Sequence, residues 1–240
     1  ELYGYLKNDM LLVDVVRTNQ EAFERIGMKQ PDVRELLDMT RGDADTWRMY
    51  AEGYTMGLNQ VEQEKTREKV MRYKPKNTTE LAAFVAAVRP AFKSMLPIFL
   101  DRRHFDYGIP AFDKLIQTRE MTSSFLLYQE QTMKTLQFAG FSAPESYSAI
   151  KAIAKKRPEK VLPLKTRFLE GFAAKADMPS AEKVWQIIED APSYGFNSSH
   201  AVCVALDSLY GAWLKAHHPL EYYTTLLSGY ADKGDKDRIS

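Results

Sequence analysis

The sequence predicts a mainly α-helical protein. Apolar residues recur at spacings of three and four along most of the 240 residues, extended alternation is rare, and glycine and proline punctuate the chain at helix-sized intervals. A hydrophobic fraction of 45% is enough for one large core or two smaller ones.

The beginning is the exception. The stretch LYGYLKNDMLLVDVV is rich in aromatic and β-branched residues, which predicts a short buried strand near Lys7 to Val13. RTNQEAFERIG then reads as a helix closed by Gly27, with Pro31 opening the next element. TRGDADTWRMYAEGYTMGLNQVEQEKTREKVMRYKP predicts a helix over about 43–52, a glycine-punctuated segment through Gly53 and Gly57, and a charged helix stopped by Pro75. TTELAAFVAAVRP is a further helix, with Thr78 or Thr79 as its cap and its end before Pro90. A looser region containing Pro90, Pro97, Gly108 and Pro110 leads to SSFLLYQEQTMKTLQFAG, read as one helix ending near Gly140. PESYSAIKAIAKK stops at Pro158, and a long helix follows to about Ala176. PSAEKVWQIIEDA takes Ser180 as N-cap, with Val184, Ile187 and Ile188 facing inward. The tail ADKGDKDRIS is polar and reads as a frayed end or cut linker.

Bulk properties exclude several classes. No apolar run reaches the ~18 residues needed to cross a bilayer, and no signal peptide opens the chain, so a cytoplasmic protein without a membrane partner is expected. Cys203 is the only cysteine, which rules out an internal disulfide and a cysteine zinc site. The first residue is Glu1 rather than Met, as in a piece of a longer chain. Net charge is only +1, but nine basic and three acidic residues lie between Lys134 and Ala176, leaving −5 for the remainder. Such a block is either a solvated helix face or a surface for phosphates.

Three places have the residue types for phosphate chemistry. In SYGFNSSHA, Asn197 is a good N-cap and puts Ser198, Ser199 and His200 in the first turn, where free N–H groups and the helix dipole attract an anion. The plainer account has His200 packing on Tyr194 or Phe196. In SAIKAIAKKR, Lys151 and Lys155 fall four apart on one helical face, tolerable if an anion sits between them and equally legal if both are solvated. Asp9 lies in the strand-like stretch, where a carboxylate can hold Mg²⁺, but such a site needs further carboxylates.

These places, taken together, resemble the C-family DNA polymerases, the alpha subunit of bacterial DNA polymerase III. YLKNDMLLVDVVR is similar to the family's K-x-D-F-L-G-L segment. DTWRMYAEGYTMGLNQVEQ resembles its G-x-T-x-G-v-F-Q-x-E-S segment at Gly53, Thr55, Gly57, Gln60 and Glu62. AAVRPAFKSMLPIFLDRRH resembles R-P-G-P followed by F-I-x-R-K-H. LLYQEQTMKTLQFAGFS matches L-Y-Q-E-Q-V-M, IKAIAKKRPEK resembles R-R-A-M-G-K-K-K-P-E-E, and YGFNSSHAVCVAL with LKAHHPLEYYTTLLS resembles G-F-N-K-S-H-A-x-A-Y and its L-K-A-H-Y-P-x-E-F continuation.

The resemblance implies a helical fingers domain over 13–232, preceded at 1–12 by the end of a nucleotidyltransferase-type palm and followed at 233–240 by a linker. It implies Asp9 as a catalytic Mg²⁺ ligand whose Asp-x-Asp partners lie upstream. Lys151, Lys155, Asn197 and His200, with Arg89 and Lys156, would position a deoxynucleoside triphosphate. The fragment by itself would be inactive. Primer-template DNA is the implied partner, with a sliding clamp and other replisome subunits reached through regions outside these residues. Departures mark a divergent copy of the kind mobile elements and viruses carry: Ile150 stands at the first arginine of R-R, Ser198 at the lysine of F-N-K-S-H, Val204 at the tyrosine after it, and Leu12 at the glycine of F-L-G-L. Two cationic contacts are lost, each worth ~1.5–3 kcal/mol if made to phosphate, with Lys93 and Arg157 as candidate replacements. The competing expectation is a non-catalytic helical nucleic-acid-binding or interaction module descended from polymerase fingers.

Overall fold

The structure, a computed structural model, describes residues 13–89, 92–155, 158–190, 195–232 and 234. The expected strand near Lys7 to Val13 therefore lies, but for Val13, outside the described residues. Those described are helical, with thirteen helices: α1 (Asp14–Arg25), α2 (Val33–Thr40), α3 (Ala44–Ala51), α4 (Glu64–Tyr73), α5 (Thr78–Ala87), α6 (Leu96–Leu100), α7 (Pro110–Ile116), α8 (Gln129–Phe138), α9 (Ala143–Ala154), α10 (Pro158–Ala173), α11 (Met178–Asp190), α12 (Ser198–His217) and α13 (Pro219–Asp232).

Two apolar cores form. In the first, α12 is buried on nearly every side, and its small residues Ala201, Ala205, Gly211 and Ala212 let neighbours approach closely. Helix α5 is buried at every position from Leu81 to Ala87, as a helix apolar all round must be. These two pack on each other, and α1, α2, α3 and α13 complete the shell around α12. The second core gathers Phe112, Leu136, Phe168, Phe172 and Trp185 from α7, α8, α10 and α11, with Ala149 and Ile153 from α9. Each of the leucine, isoleucine and phenylalanine side chains contributes roughly 1.5–3 kcal/mol by leaving water.

The join between the cores departs from the sequence expectation. The sequence predicts SSFLLY as the first part of a helix, but α8 begins only at Gln129. The preceding segment is drawn out, and Ser124 N–H donates to the carbonyl of Phe105 at 2.7 Å. Its side chains alternate: Phe125 and Leu127 enter the first core, while Leu126 packs against the second. A period of two serves both cores where a helical period cannot. Gln131 fixes the arrangement. Its buried Oε1 accepts from the amides of Leu127 and Tyr128, both at 2.8 Å, and its Nε2 donates to the carbonyls of Ile116 and Phe125.

Smaller corrections concern helix ends. Asn77, not Thr78 or Thr79, caps α5, accepting from Glu80 N–H at 2.9 Å. At α11 the acceptor is Asp177, which takes both the amide and the hydroxyl of Ser180. The looser region also contains two short helices, α6 and α7, each with proline in its first turn.

Candidate functional site

The segment Gly195–His200 is built against the start of α8. Phe196 N–H donates to Leu127 C=O, and Gln129 N–H donates to Phe196 C=O, forming a single parallel bridge. A Cβ at Gly195 would lie 2.5 Å from Gln129 N, so only glycine permits this approach. Asn197 is the N-cap of α12, accepting from His200 N–H at 2.9 Å. The amide of Ser198 is also engaged: both carboxylate oxygens of Glu130 accept from it, at 3.2 and 3.1 Å. The positive end of α12 thus already faces an anion from α8, and two of its first three N–H groups have partners within the protein. Further contacts to an outside anion fall to the Ser199 amide and to side chains.

Those side chains converge on Phe196. The Arg89 guanidinium lies 4.4 Å from the ring centroid and the His200 ring 5.2 Å from it. Arg89 Nη2 also donates to Gln60 Oε1 at 3.4 Å, which brings the segment after Gly57 to the same place. His200 and Asn197 are exposed and Arg89 is partly buried. Beneath them, burial pushes the Asp207 carboxyl above its ordinary range, opposed by a hydrogen bond from Asn59 and by the charge of His200. The packing of His200 on Phe196 agrees with the plainer reading of this turn, while leaving its exposed ring accessible.

Lys151 and Lys155 occupy a second place. Both are exposed and line an open cavity of about 450 Å³ between α9 and α10, with Phe141, Lys160, Leu164 and Arg167. Lys151 Nζ rests 4.2 Å over the Tyr147 ring. Glu145, the one carboxylate in the lining, is held by Arg167 at 2.8 and 3.3 Å and accepts from Ser142 N–H. Arg167 first, then the Ser142 cap, holds its carboxyl down to about 2. Neither Lys151 nor Lys155 forms an ion pair among the described residues. No residue of the α12 terminus lines this cavity. The expected nucleotide contacts are therefore grouped in two: Arg89, Asn197 and His200 at one place, Lys151 and Lys155 at the other. Asp9 and Lys156 lie outside the described residues.

Sequence reasoning missed Glu130 and Lys215. Lys215 is buried on α12, and its Nζ donates to the carbonyls of Tyr54 and Met56 at 2.7 and 2.8 Å. With Tyr222 Oη donating to Gly57 C=O, it holds the glycine-punctuated segment beside Gln60. Both roles join residues far apart in the chain, and only the segments LYQEQ and LKAH marked them.

The described residues contain no cluster of His, Cys, Asp or Glu able to hold a metal, and Asp9, the expected Mg²⁺ ligand, lies outside them. No helix among them is long and apolar enough to cross a membrane.

Comparison with known proteins gives a consistent result. The profile of the family described as "Bacterial DNA polymerase III alpha subunit finger domain" matches residues 14–176. The chain is similar to proteins called DNA polymerase III subunit alpha: 34% identical over 84% of its length to that of Campylobacter jejuni, 30% over 99% to that of Bacillus subtilis, and 32% over 90% to that of Thermotoga maritima. It spans 17%, 21% and 25% of those relatives, respectively.

Proposed function

Because the chain belongs to the family of bacterial DNA polymerase III alpha subunit finger domains, we propose that it binds the incoming deoxynucleoside triphosphate and covers the nascent base pair during template-directed DNA synthesis. The observation that carries this reading is the pair Lys151 and Lys155, two exposed ammonium groups on one cavity whose lining carboxylate is already committed to Arg167. Ammonium groups held apart from internal acids are suited to phosphate oxygens, which they approach as point charges.

The α12 terminus supplies the second half. His200 and Arg89, both against the Phe196 ring, offer donors and a stacking surface, and the side-chain amide of Asn197 can reach a sugar or base. Glu130 and Asn197 hold the turn that presents them. Mg²⁺, held by Asp9 together with carboxylates outside these residues, would supply the clamp on the attacking and leaving oxygens when bound. This chain's own residues bind and orient the triphosphate and neutralise its charge. Primer-template DNA and replisome subunits are the partners of the whole polypeptide.

Lys151→Ala in the complete polypeptide is the test. It should raise the nucleotide KM or lower kcat in primer extension; unchanged steady-state kinetics would remove the assignment and favour a non-catalytic module on the same scaffold.

A further inference from the structure

We infer that Lys160 is a third phosphate-binding cation in the Lys151–Lys155 cavity; this rests on the nucleotide-binding reading above. Lys160 stands in the first turn of α10 and lines the cavity opposite the last turn of α9, from which Lys151 and Lys155 project. Lys160 is exposed, and among the described residues no ion pair engages it.

Three features set this lysine apart from ordinary surface charge. A cation in the first turn opposes the helix dipole, whose positive end favours acids there. It also joins two like charges across one cavity, where the only lining carboxylate is neutralised by Arg167. Both costs are relieved when an anion occupies the space between the helices. The third feature is the exchange in sequence. IKAIAKKRPEK carries Ile150 where the resembling segment R-R-A-M-G-K-K-K-P-E-E begins with arginine, and Lys160 where it ends with glutamate. The segment therefore keeps five cations, but Ile150 packs against the second core and does not line the cavity, whereas Lys160 stands on its wall.

The ligand chemistry is a phosphate oxyanion, from a nucleoside triphosphate or from the DNA backbone. Equilibrium binding of a deoxynucleoside triphosphate and, separately, of a primer-template at two salt concentrations, measured on the complete polypeptide, distinguishes the sources without requiring turnover. Lys160→Gln should weaken triphosphate binding about fivefold, as expected for one charge-assisted contact in an open cavity, and Lys160→Arg, which keeps the charge, should hold affinity to within about twofold. If the phosphate belongs to DNA, the same substitution instead weakens primer-template binding and lowers the salt slope by about one. Lys160→Gln with both affinities unchanged overturns the inference. Lys151→Ala run beside it separates the failures: weakened triphosphate binding there leaves the nucleotide site standing without Lys160, and no effect in either variant removes both.

Discussion

The carboxylate of Glu130, in the first turn of α8, receives the amide of Ser198, the first residue of α12, at 3.2 and 3.1 Å. One helix start therefore caps another, and with the Leu127–Phe196 and Gln129–Phe196 hydrogen bonds this ties the second core to the first. Glu130→Ala should destabilise the protein by about 1 kcal/mol, the usual worth of an acid at a helix N-terminus. Chemical denaturation reads it as a lower midpoint with unchanged slope. An unshifted midpoint would mean that the contact contributes nothing to holding the turn of Asn197 and His200.

Gln131 should matter more than Glu130. All four hydrogen bonds of its side chain go to backbone groups, and it is buried. Gln131→Leu has similar volume but leaves two amides and two carbonyls to find other partners, at roughly 1–3 kcal/mol for each one left buried and unpaired. A loss of at least about 3 kcal/mol is expected in thermal or denaturant unfolding. A loss under 1 kcal/mol would show that the drawn-out segment 124–128 holds its course without the side chain.

Much of this architecture was legible in the residues, because the local signals agree with the fold. The apolar run of α5, the stop at Pro75 and the Asn197 cap each follow from short-range chemistry, and each appears in the structure. The helix expected from Ser123 failed because its first six residues serve two cores, a tertiary demand that overrides propensity. The cap at α5 moved outward because Asn77 accepts better than the threonines that follow it, and at α11 because the helix starts at Met178, which puts Ser180 inside its first turn and leaves Asp177 to cap it. At the candidate site, the sequence placed Lys151 and Lys155 together but did not show that Glu130 caps α12 or that Arg89 meets Phe196, contacts that span 68 and 107 positions.

Gly171 makes a prediction whose sign depends on packing. In an exposed helix interior, replacing glycine by alanine stabilises by about 1 kcal/mol. Here a Cβ would clash with the carbonyl oxygen of Ala139, backbone that closes α8. α10 would have to move away from α8, and overpacking of this kind costs ~1–3 kcal/mol. Gly171→Ala should therefore lower the melting temperature. A rise would show that α10 does not approach α8 this closely.

Lys215 gives the chain a dependence on alkaline pH. Burial lowers its pKa to about 8, with the charge of Glu62 opposing the shift, whereas an unfolded chain holds the proton to ~10.4. Between these values the unfolded state binds more protons than the folded one, so this group's contribution makes unfolding free energy rise with pH from about 8 to about 10.4. Below about 8 the amine is charged in both states, and the cost of burying that charge is present in full. Lys215→Met abolishes the titration and strands the carbonyls of Tyr54 and Met56, for a net loss on the order of 1–3 kcal/mol at neutral pH. Subtracting the variant's stability profile from that of the parent cancels the tyrosines and other lysines that titrate in the same range. The difference should climb across this window; parallel profiles would show that Lys215 titrates alike in both states and that its burial does not perturb it.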